Sequence, residues 1–279
     1  MTHPTDVGKA AENAGNAVLR PTDQSIVDWA DRARIALRAA AAAGYPPYVQ
    51  RLAIHLDLLA DGAAAIVLDR RRWPELLPSV QALLACASDP EETRLGQERL
   101  AVAAQVAGYA GCQARLLLGW ELAGRSAYSG EPERFAAEGL PTIDEALPER
   151  VWVPPPVVPP AELRDAVAAL LPEADRELVA LAVSLAMGDE SGISGHGRRH
   201  ARMSGDAGTA VALAAKGPDA VPGPRERAIA QAATQLARTP AALTEADLSR
   251  LTSQDARGVV AAAALATWEA RLAITLARA

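Results

Sequence analysis

The sequence predicts an almost entirely helical protein, and three observations lead to that prediction. Half of the 279 residues are hydrophobic, yet only 4% are aromatic, and alanine is conspicuously frequent. Alanine loses little entropy in a helix and lets neighbouring helices approach closely. Apolar residues recur at intervals of three and four, and Gly, Pro and Asp separate the periodic segments.

The first half of the chain begins with a polar stretch and continues with helical segments. Residues 1–20 are polar and rich in Gly, Ala and Asn, so we expect a disordered tail there. Helical spacing of Ile26, Trp29 and Leu37 predicts a helix that begins near Thr22. Further segments follow at 48–59, at 63–68, from Trp73 onward, and over 97–118 as one long helix.

A compositional change marks the middle of the chain. Gly, Ser, Glu and Pro are frequent over 124–160, and a run of prolines closes that stretch. Consecutive prolines favour an extended, semi-rigid backbone. We therefore place a boundary near residue 150, between an N-terminal helical repeat with its linker (21–150) and a C-terminal helical domain (151–279).

The second half contains the helix that carries Glu177. Leu178, Leu181 and Leu185 form one apolar stripe on it. Four glycines surround His196 at positions 188, 192, 195 and 197, and they predict either a close backbone approach or a broken helix. Other helices are predicted over 161–171, 198–216, 225–238, 244–251 and 256–277.

The spacing around Glu177 resembles a known active-site pattern. In the alkylhydroperoxidase D-like / carboxymuconolactone decarboxylase superfamily, a Glu is followed by a Cys after twelve residues, a second Cys after three and a His after four. Here Glu177 and His196 keep the spacing, but Asp189 and Gly192 replace the cysteines. The similarity continues through segments 224–251 and 261–271, and so extends over about 160–279.

The resemblance implies an all-α fold and a site near the start of the helix after Gly188. Redox members use the cysteine pair against peroxides, whereas decarboxylase members release carbon dioxide from a lactone acid without a redox cofactor. Without the two cysteines, thiol chemistry is excluded at this site, since a disulfide cannot form there. The resemblance also implies a homo-oligomer, for which both a dimer and a trimer are compatible with the sequence.

The residues themselves indicate acid–base chemistry. If the stretch after Gly188 is helical, Asp189, His196 and His200 share one face, and Glu177 reaches them from the preceding helix. We predict Glu177, Asp189 and His196 as catalytic residues, since such a cluster can exchange protons near neutral pH. The alternative interpretation is a buried polar network kept for packing.

Substrate binding is predicted for Arg198, Arg199 and His200. A guanidinium can bind a carboxylate with two hydrogen bonds. The alternative for the arginines is a solvated helix face. His196 and His200 also have the spacing of a helical metal pair, but the sequence supplies no definite third ligand, and we predict neither a metal nor a cofactor.

Charge and composition exclude some function classes. The net charge of −6 argues against a nucleic-acid partner, which needs a basic face. No apolar run reaches the ~18 residues of a membrane span, so no membrane partner is expected. Two separated cysteines, Cys86 and Cys112, suit a cytoplasmic location.

The sequence-based prediction of function is a cofactor-independent acid–base enzyme. It would decarboxylate, isomerise, dehydrate or cyclise a small organic acid. Two alternatives stay open, namely a non-catalytic binding or assembly homologue and a residual peroxidase that uses Cys112. The first alternative is motivated by a faint internal repeat, in which Gly108 aligns with Gly188 and the first copy lacks the polar site.

Overall fold

The protein is a bundle of helices in a computed structural model that describes residues 4–89, 95–124 and 158–277. Within these ranges there are helices and no strand, so the all-α prediction is confirmed. The helices are α1 (Pro4–Leu19), α2 (Trp29–Ala43), α3 (Pro46–Leu59), α4 (Ala63–Leu68), α5 (Pro78–Ser88), α6 (Gln97–Leu122), α7 (Ala161–Ala168), α8 (Glu173–Met187), α9 (Glu190–Ser204), α10 (Ala207–Lys216), α11 (Pro224–Arg238), α12 (Glu245–Leu248) and α13 (Ser253–Leu276).

Two long helices, α6 and α13, pack against each other at the centre of the fold. Gly108 and Gly119 lie three turns apart on the face of α6 that meets α13. A Cβ atom at Gly108 would lie 2.1 Å from Cδ1 of Trp268, and one at Gly119 would lie 2.5 Å from Val260. The two helices therefore approach closely because these two positions have no side chain.

The N-terminal half packs around α6. Helix α2 lies on α6, and α3, α4 and α5 pack against α2. The long helix predicted over 97–118 is confirmed and extends about one turn further. The predicted start near Thr22 is wrong, because Asp28 caps α2 by accepting a hydrogen bond from the backbone N–H of Asp31.

The prediction of a disordered tail is wrong over Pro4–Leu19. These residues form α1, which contacts α6 and α7. Val7, Ala11 and Ala14 are at most 2% exposed, so small apolar residues at helical spacing bury one face of this helix. The average composition of residues 1–20 did not indicate this face, because Lys9, Glu12 and Asn13 stand between its apolar residues in the sequence.

In the C-terminal half, α8 packs against α9, α11 and α13. Gly188 ends α8 with a left-handed backbone (φ 79°), and α9 begins two residues later. The other glycines do not break α9, which continues through His196. Gly192 confirms the expected close approach, since a Cβ atom there would lie 2.2 Å from Oδ2 of Asp189.

The helix predicted over 198–216 is divided into α9 and α10. Gly205 takes a left-handed backbone (φ 69°) and ends α9. Asp206 then accepts hydrogen bonds from the N–H groups of Gly208 and Thr209 and starts α10. A side-chain cap directly after a left-handed glycine makes two helices more favourable than one.

An ion pair holds three helices of this half together. Arg225, at the start of α11, donates to both carboxylate oxygens of Asp175 in α8, at 3.1 and 2.7 Å. It also donates to both oxygens of Asp255 in α13, at 3.3 and 3.1 Å. Both carboxylates lie in the first turn of their helices, where negative charge is favourable. The pair fixes α8 relative to α13, the two helices that carry site residues.

One expectation about apolar runs is wrong. Helix Ser253–Leu276 is long and apolar enough to cross a membrane by length and composition. Of its most apolar 18-residue window, 78% is buried within the protein. A buried core helix meets the same criterion, and the packing of α13 on α6 and α8 accounts for its composition.

The two glycines on which the internal repeat was aligned, Gly108 and Gly188, have different positions in their helices. Gly108 lies within α6, whereas Gly188 ends α8. The equivalence of these two glycines is therefore wrong, and a duplication of the chain stays a prediction. The boundary near residue 150 lies outside the described residues.

Candidate active site

Glu177 and His196 form a hydrogen-bonded pair, which we call the dyad. Oε2 of Glu177 lies 2.7 Å from Nδ1 of His196. Helix α8 supplies the glutamate and α9 the histidine, and both side chains are partly buried, with 16% and 20% exposed. The sequence-based prediction that these two residues meet across the helix pair is borne out by this geometry.

Arg199 joins the dyad one turn along α9. Its Nε lies 3.0 Å from Oε2 of Glu177, and its Nη2 lies 2.7 Å from Nδ1 of His196. One ring nitrogen cannot donate to Glu177 and accept from Arg199 at the same time. We assign the proton to Nδ1, because an ionised Glu177 can only accept. This tautomer leaves Nε2 of a neutral His196 as the basic nitrogen.

The charge state of Glu177 supports this assignment. Burial acts to raise the pKa of Glu177, but the hydrogen bonds and charges of His196 and Arg199 together outweigh burial and lower it. The carboxylate is therefore ionised at neutral pH. Its pairing stabilises the fold above the usual carboxylate pKa, and that contribution is lost as the pH falls through the lowered value.

A second acid, Glu269, faces the dyad from α13, and sequence reasoning missed it. Burial raises the pKa of Glu269, and the neighbouring charge of Glu177 raises it further, against the opposing charges of His196, Arg164 and Arg199. The protonated form is therefore favoured more than in an ordinary glutamate. The signal in the sequence was an acid isolated in an apolar helix.

Two adjoining cavities meet at this cluster. The first, of about 420 Å³, is called the apolar cavity, and the second, of about 480 Å³, the arginine cavity. Both are lined by His196, Arg199, Ala266 and Glu269. The apolar cavity is also lined by Val158, Pro159, Ser184, Asp189, Ser191, Gly192, Gly195, Ala270, Leu272, Ala273 and Leu276. The arginine cavity is also lined by Arg164, Asp165, Val167, Ala168, Arg176, Glu177, Ala180, Ala262 and Leu265.

Comparison with known families agrees with the resemblance inferred from spacing. Residues 160–235 match the model of the Carboxymuconolactone decarboxylase family. This segment is of the carboxymuconolactone decarboxylase type. It includes the dyad and Arg199 and ends before Glu269, which lies on the later helix α13. Comparisons with curated proteins and with solved structures gave no significant match.

In this carboxymuconolactone decarboxylase-type segment, Asp189 has a different role from the one predicted. Its Oδ1 accepts hydrogen bonds from the N–H of Gly192 (3.0 Å) and from the hydroxyl of Ser191 (2.9 Å). Oδ2 accepts from Ser184 at 3.4 Å. Asp189 lines the apolar cavity but makes no hydrogen bond to His196. The prediction that it shares the proton of the dyad is therefore wrong, because its oxygens cap α9.

The three predicted substrate-binding residues separate in the structure. Arg199 lines both cavities, whereas Arg198 is exposed and lines neither. His200 is 3% exposed, and its Nδ1 donates to the backbone carbonyl of Ala174 at 3.0 Å. The predicted role thus fits Arg199 and does not fit Arg198 or His200. The 100° step between successive helix residues turns Arg198 away from the dyad.

The remaining alternatives concern metals and thiols. Among the described residues, no group of three or more His, Cys, Asp and Glu side chains is placed to hold a metal ion. His196 and His200 have the spacing of a helical metal pair, but they make hydrogen bonds to Glu177 and to the backbone carbonyl of Ala174, respectively.

Cys112 is buried in α6, and burial raises the pKa of its thiol to about 12. A protonated thiol is a poor nucleophile, so the peroxidase alternative loses its chemical basis.

We expect Glu269→Gln to stabilise the protein at neutral and alkaline pH. A carboxyl with a raised pKa stabilises the fold fully only below its unfolded pKa, and this contribution is lost as the pH rises through the folded pKa. The glutamine amide does not ionise, so the variant does not lose stability as the pH rises. Near pH 4 the melting temperature of the variant should equal that of the wild type, and at pH 8 it should be higher by roughly 2 °C.

Differential scanning calorimetry from pH 4 to pH 8 measures this gain. Glu12→Gln, at an exposed position of α1, is the matched control and should show no such pH dependence. A gain of equal size at both pH values would contradict the proposed electrostatic origin.

Proposed function

We propose that this protein is a cofactor-independent acid–base enzyme that acts on a small organic acid. The observation that carries the proposal is the 2.7 Å hydrogen bond between Glu177 and His196, both of which line the arginine cavity. Glu177 orients the imidazole and stabilises its protonated form, as a carboxylate does for a catalytic histidine. Nε2 of His196 is then the base.

Glu269 complements the base with an acid. A carboxyl with a raised pKa can donate a proton near neutral pH while a second, ionised carboxylate serves the base. Glu269 and His196 line the same two cavities, so one bound molecule can contact both. Titratable groups whose environments push their pKa values apart are typical of acid–base sites.

These groups suffice for a balanced isomerisation. Nε2 of His196 removes a proton from a carbon next to a carbonyl group, and Glu269 protonates the carbonyl oxygen as the electron pair moves there. The imidazolium then returns its proton to a second carbon, and Glu269 takes back the enol proton. The substrate gains and loses one proton, and both side chains return to their starting states.

Decarboxylation uses the same groups in a different order. The bond to the carboxylate breaks, its electron pair moves to a conjugated carbonyl oxygen, and Glu269 protonates that oxygen. For this reaction His196 starts protonated at Nε2 by a proton taken from water; it delivers that proton to carbon, and Glu269 takes back the enol proton. Carbon dioxide leaves, and the one proton consumed is replaced when water protonates Nε2 again. The match to the Carboxymuconolactone decarboxylase family supports this reaction class.

The proposal is tested by proton exchange in heavy water. The purified protein is incubated with carboxymuconolactone and with a panel of small unsaturated and lactone acids, and NMR detects deuterium at carbon, isomerised product or loss of carbon dioxide. We expect at least one acid to exchange or react faster than in a blank with the double variant His196→Gln/Glu269→Gln. Saturable binding without exchange across the panel would support the non-catalytic alternative instead.

A further inference from the structure

The two cavities differ in chemistry on either side of the dyad. They share His196, Arg199 and Glu269, so a single molecule can extend from one cavity into the other past the reacting groups. Beyond these shared residues, the arginine cavity adds Arg164 and Arg176, whereas the apolar cavity adds no basic side chain. The other residues of the apolar cavity are mostly aliphatic or glycine, with Asp189 and two serines at one end of α9. This division points to a substrate with two unlike ends.

The arginine cavity places two guanidinium groups beside the dyad. Glu177 is already paired with Arg199 and hydrogen-bonded to His196. Arg164 and Arg176 line the same cavity, and neither forms an ion pair there with Asp165, which is exposed. These two arginines can therefore receive an anionic group brought by a ligand.

Arg176 also offers an unused hydrogen-bond donor. Its Nε–H is buried and has no hydrogen-bond partner among the described residues. A buried donor without a partner is costly, and a carboxylate oxygen is a strong acceptor for a guanidinium. Arg176 lies on α8 one residue before Glu177, so an anion held there would lie beside the dyad.

The apolar cavity provides a surface for a hydrocarbon body. Ala270, Ala273 and Leu276 lie about one turn apart on α13, and Val158 and Pro159 line the same cavity. Alanine side chains leave room for a ligand, and burial of each added CH₂ group favours binding about fourfold.

We propose that the site selects an amphipathic carboxylic acid. Its carboxylate lies against Arg164 and Arg176, and its hydrocarbon body extends along Ala270 and Ala273 in the apolar cavity. The functional group between the two ends then lies against His196 and Glu269. This inference rests on the proposed function for the role of the dyad, but the binding preference itself does not require turnover.

Binding of simple probes tests the preference without any substrate being known. Isothermal titration calorimetry at pH 7 compares butanoate, hexanoate and octanoate, with octylamine as the probe of opposite charge. We expect affinity to rise about fourfold per CH₂ group until the cavity is filled. Octylamine should bind at least tenfold more weakly than octanoate.

Two variants locate the two ends of the ligand. Arg176→Met should weaken octanoate binding at least tenfold, because it removes one of the two guanidinium groups proposed to bind the carboxylate. Arg198→Met, on an exposed arginine that lines neither cavity, is its control and should leave the affinity unchanged. Ala273→Leu should weaken octanoate more than butanoate, whereas Ala246→Leu at an exposed position of α12 should affect neither.

The outcomes separate this inference from the proposed function. Equal binding of octanoate and octylamine, affinity independent of chain length, or an Arg176→Met variant that binds normally would each overturn the inference. Proton exchange with a short polar acid alone would also overturn it while leaving the proposed function intact. Selective binding of octanoate without exchange of any acid would support the inference and contradict the proposed function.

Discussion

Replacing His196 by Gln should lower kcat by a factor of about 10²–10⁴ on any acid that the wild-type protein turns over. The glutamine side chain can still donate a hydrogen bond to Glu177, so the contact between α8 and α9 is retained. What is lost is the basic nitrogen Nε2. KM should change little, because the arginines and the apolar wall are untouched.

Glu177→Gln tests the other half of the dyad. The amide cannot stabilise a protonated imidazole, and it can donate a hydrogen bond to the ring and favour the wrong tautomer. We expect kcat to fall about 10²-fold, with Glu177→Asp restoring part of the loss. Because Glu177 acts through His196, the kcat of the double variant His196→Gln/Glu177→Gln should be little lower than that of His196→Gln alone.

Arg198→Met provides the matched control for the dyad variants. Its side chain leaves α9 close to His196 but is exposed and lines neither cavity. Turnover and melting temperature should both stay at the wild-type values. If His196→Gln folds normally and turns over as fast as the wild type, the assignment of His196 as base is wrong.

Gly108→Ala should destabilise the protein strongly, although alanine is the better helix former. The added Cβ would lie 2.1 Å from Cδ1 and 2.7 Å from Nε1 of Trp268. Trp268 is fully buried, packs edge-on against Tyr109 and donates to Oε1 of Gln105, so its ring has little freedom to shift. Overpacking of this kind costs about 2–3 kcal/mol after the gain of up to ~1 kcal/mol in helix propensity.

Thermal and urea unfolding measure this effect, and we expect a melting temperature lower by about 5–10 °C. Gly197→Ala is the matched control in a helix interior. Its Cβ would meet only Cδ1 of Leu181 at 3.8 Å, so stability should stay equal or rise slightly. A Gly108→Ala variant as stable as the wild type would show that α6 and α13 do not meet as described.

A double-mutant cycle with Trp268→Leu separates steric conflict from loss of the tryptophan. If the alanine clashes with the indole ring, its cost should largely disappear in the leucine background. The result also concerns function, because Trp268 precedes Glu269 on α13. Displacement of the tryptophan would move the acid relative to the dyad.

Local sequence patterns identified most of the helices and the contact between Glu177 and His196 correctly. The spacing of nineteen residues was sufficient to predict that Glu177 and His196 meet. Helix α8, the turn at Gly188 and helix α9 reverse the direction of the chain, so residues at this spacing lie side by side on the two helices. Thr244 and Asp247 likewise have the spacing of a capping box, and a capping box is present at the start of α12. Such features depend on neighbours in sequence, and sequence alone displays them.

The predicted roles of other residues were wrong, because the role of a polar side chain depends on which hydrogen-bonding group lies nearest to it in the folded protein. Asp189 was predicted to share a proton with His196, but its Oδ1 instead accepts a hydrogen bond from the N–H of Gly192 at the start of α9. His200 has suitable helical spacing, yet the carbonyl of Ala174 on the preceding helix takes its donor. Periodicity predicts the face of a helix but not the partner that the face will meet.

By itself, the sequence determined that the chain is helical, that thiol chemistry is absent from the dyad region, and that Glu177 and His196 meet. Only the tertiary structure decided that Glu269 lines the same cavities as His196 and that residues 4–19 form a helix. Glu269 is 73 residues beyond His196, and it reaches the dyad because α13 packs against α8. Its raised pKa likewise comes from burial by other helices. Contacts between distant segments, and the desolvation that they cause, exist only once the chain has folded.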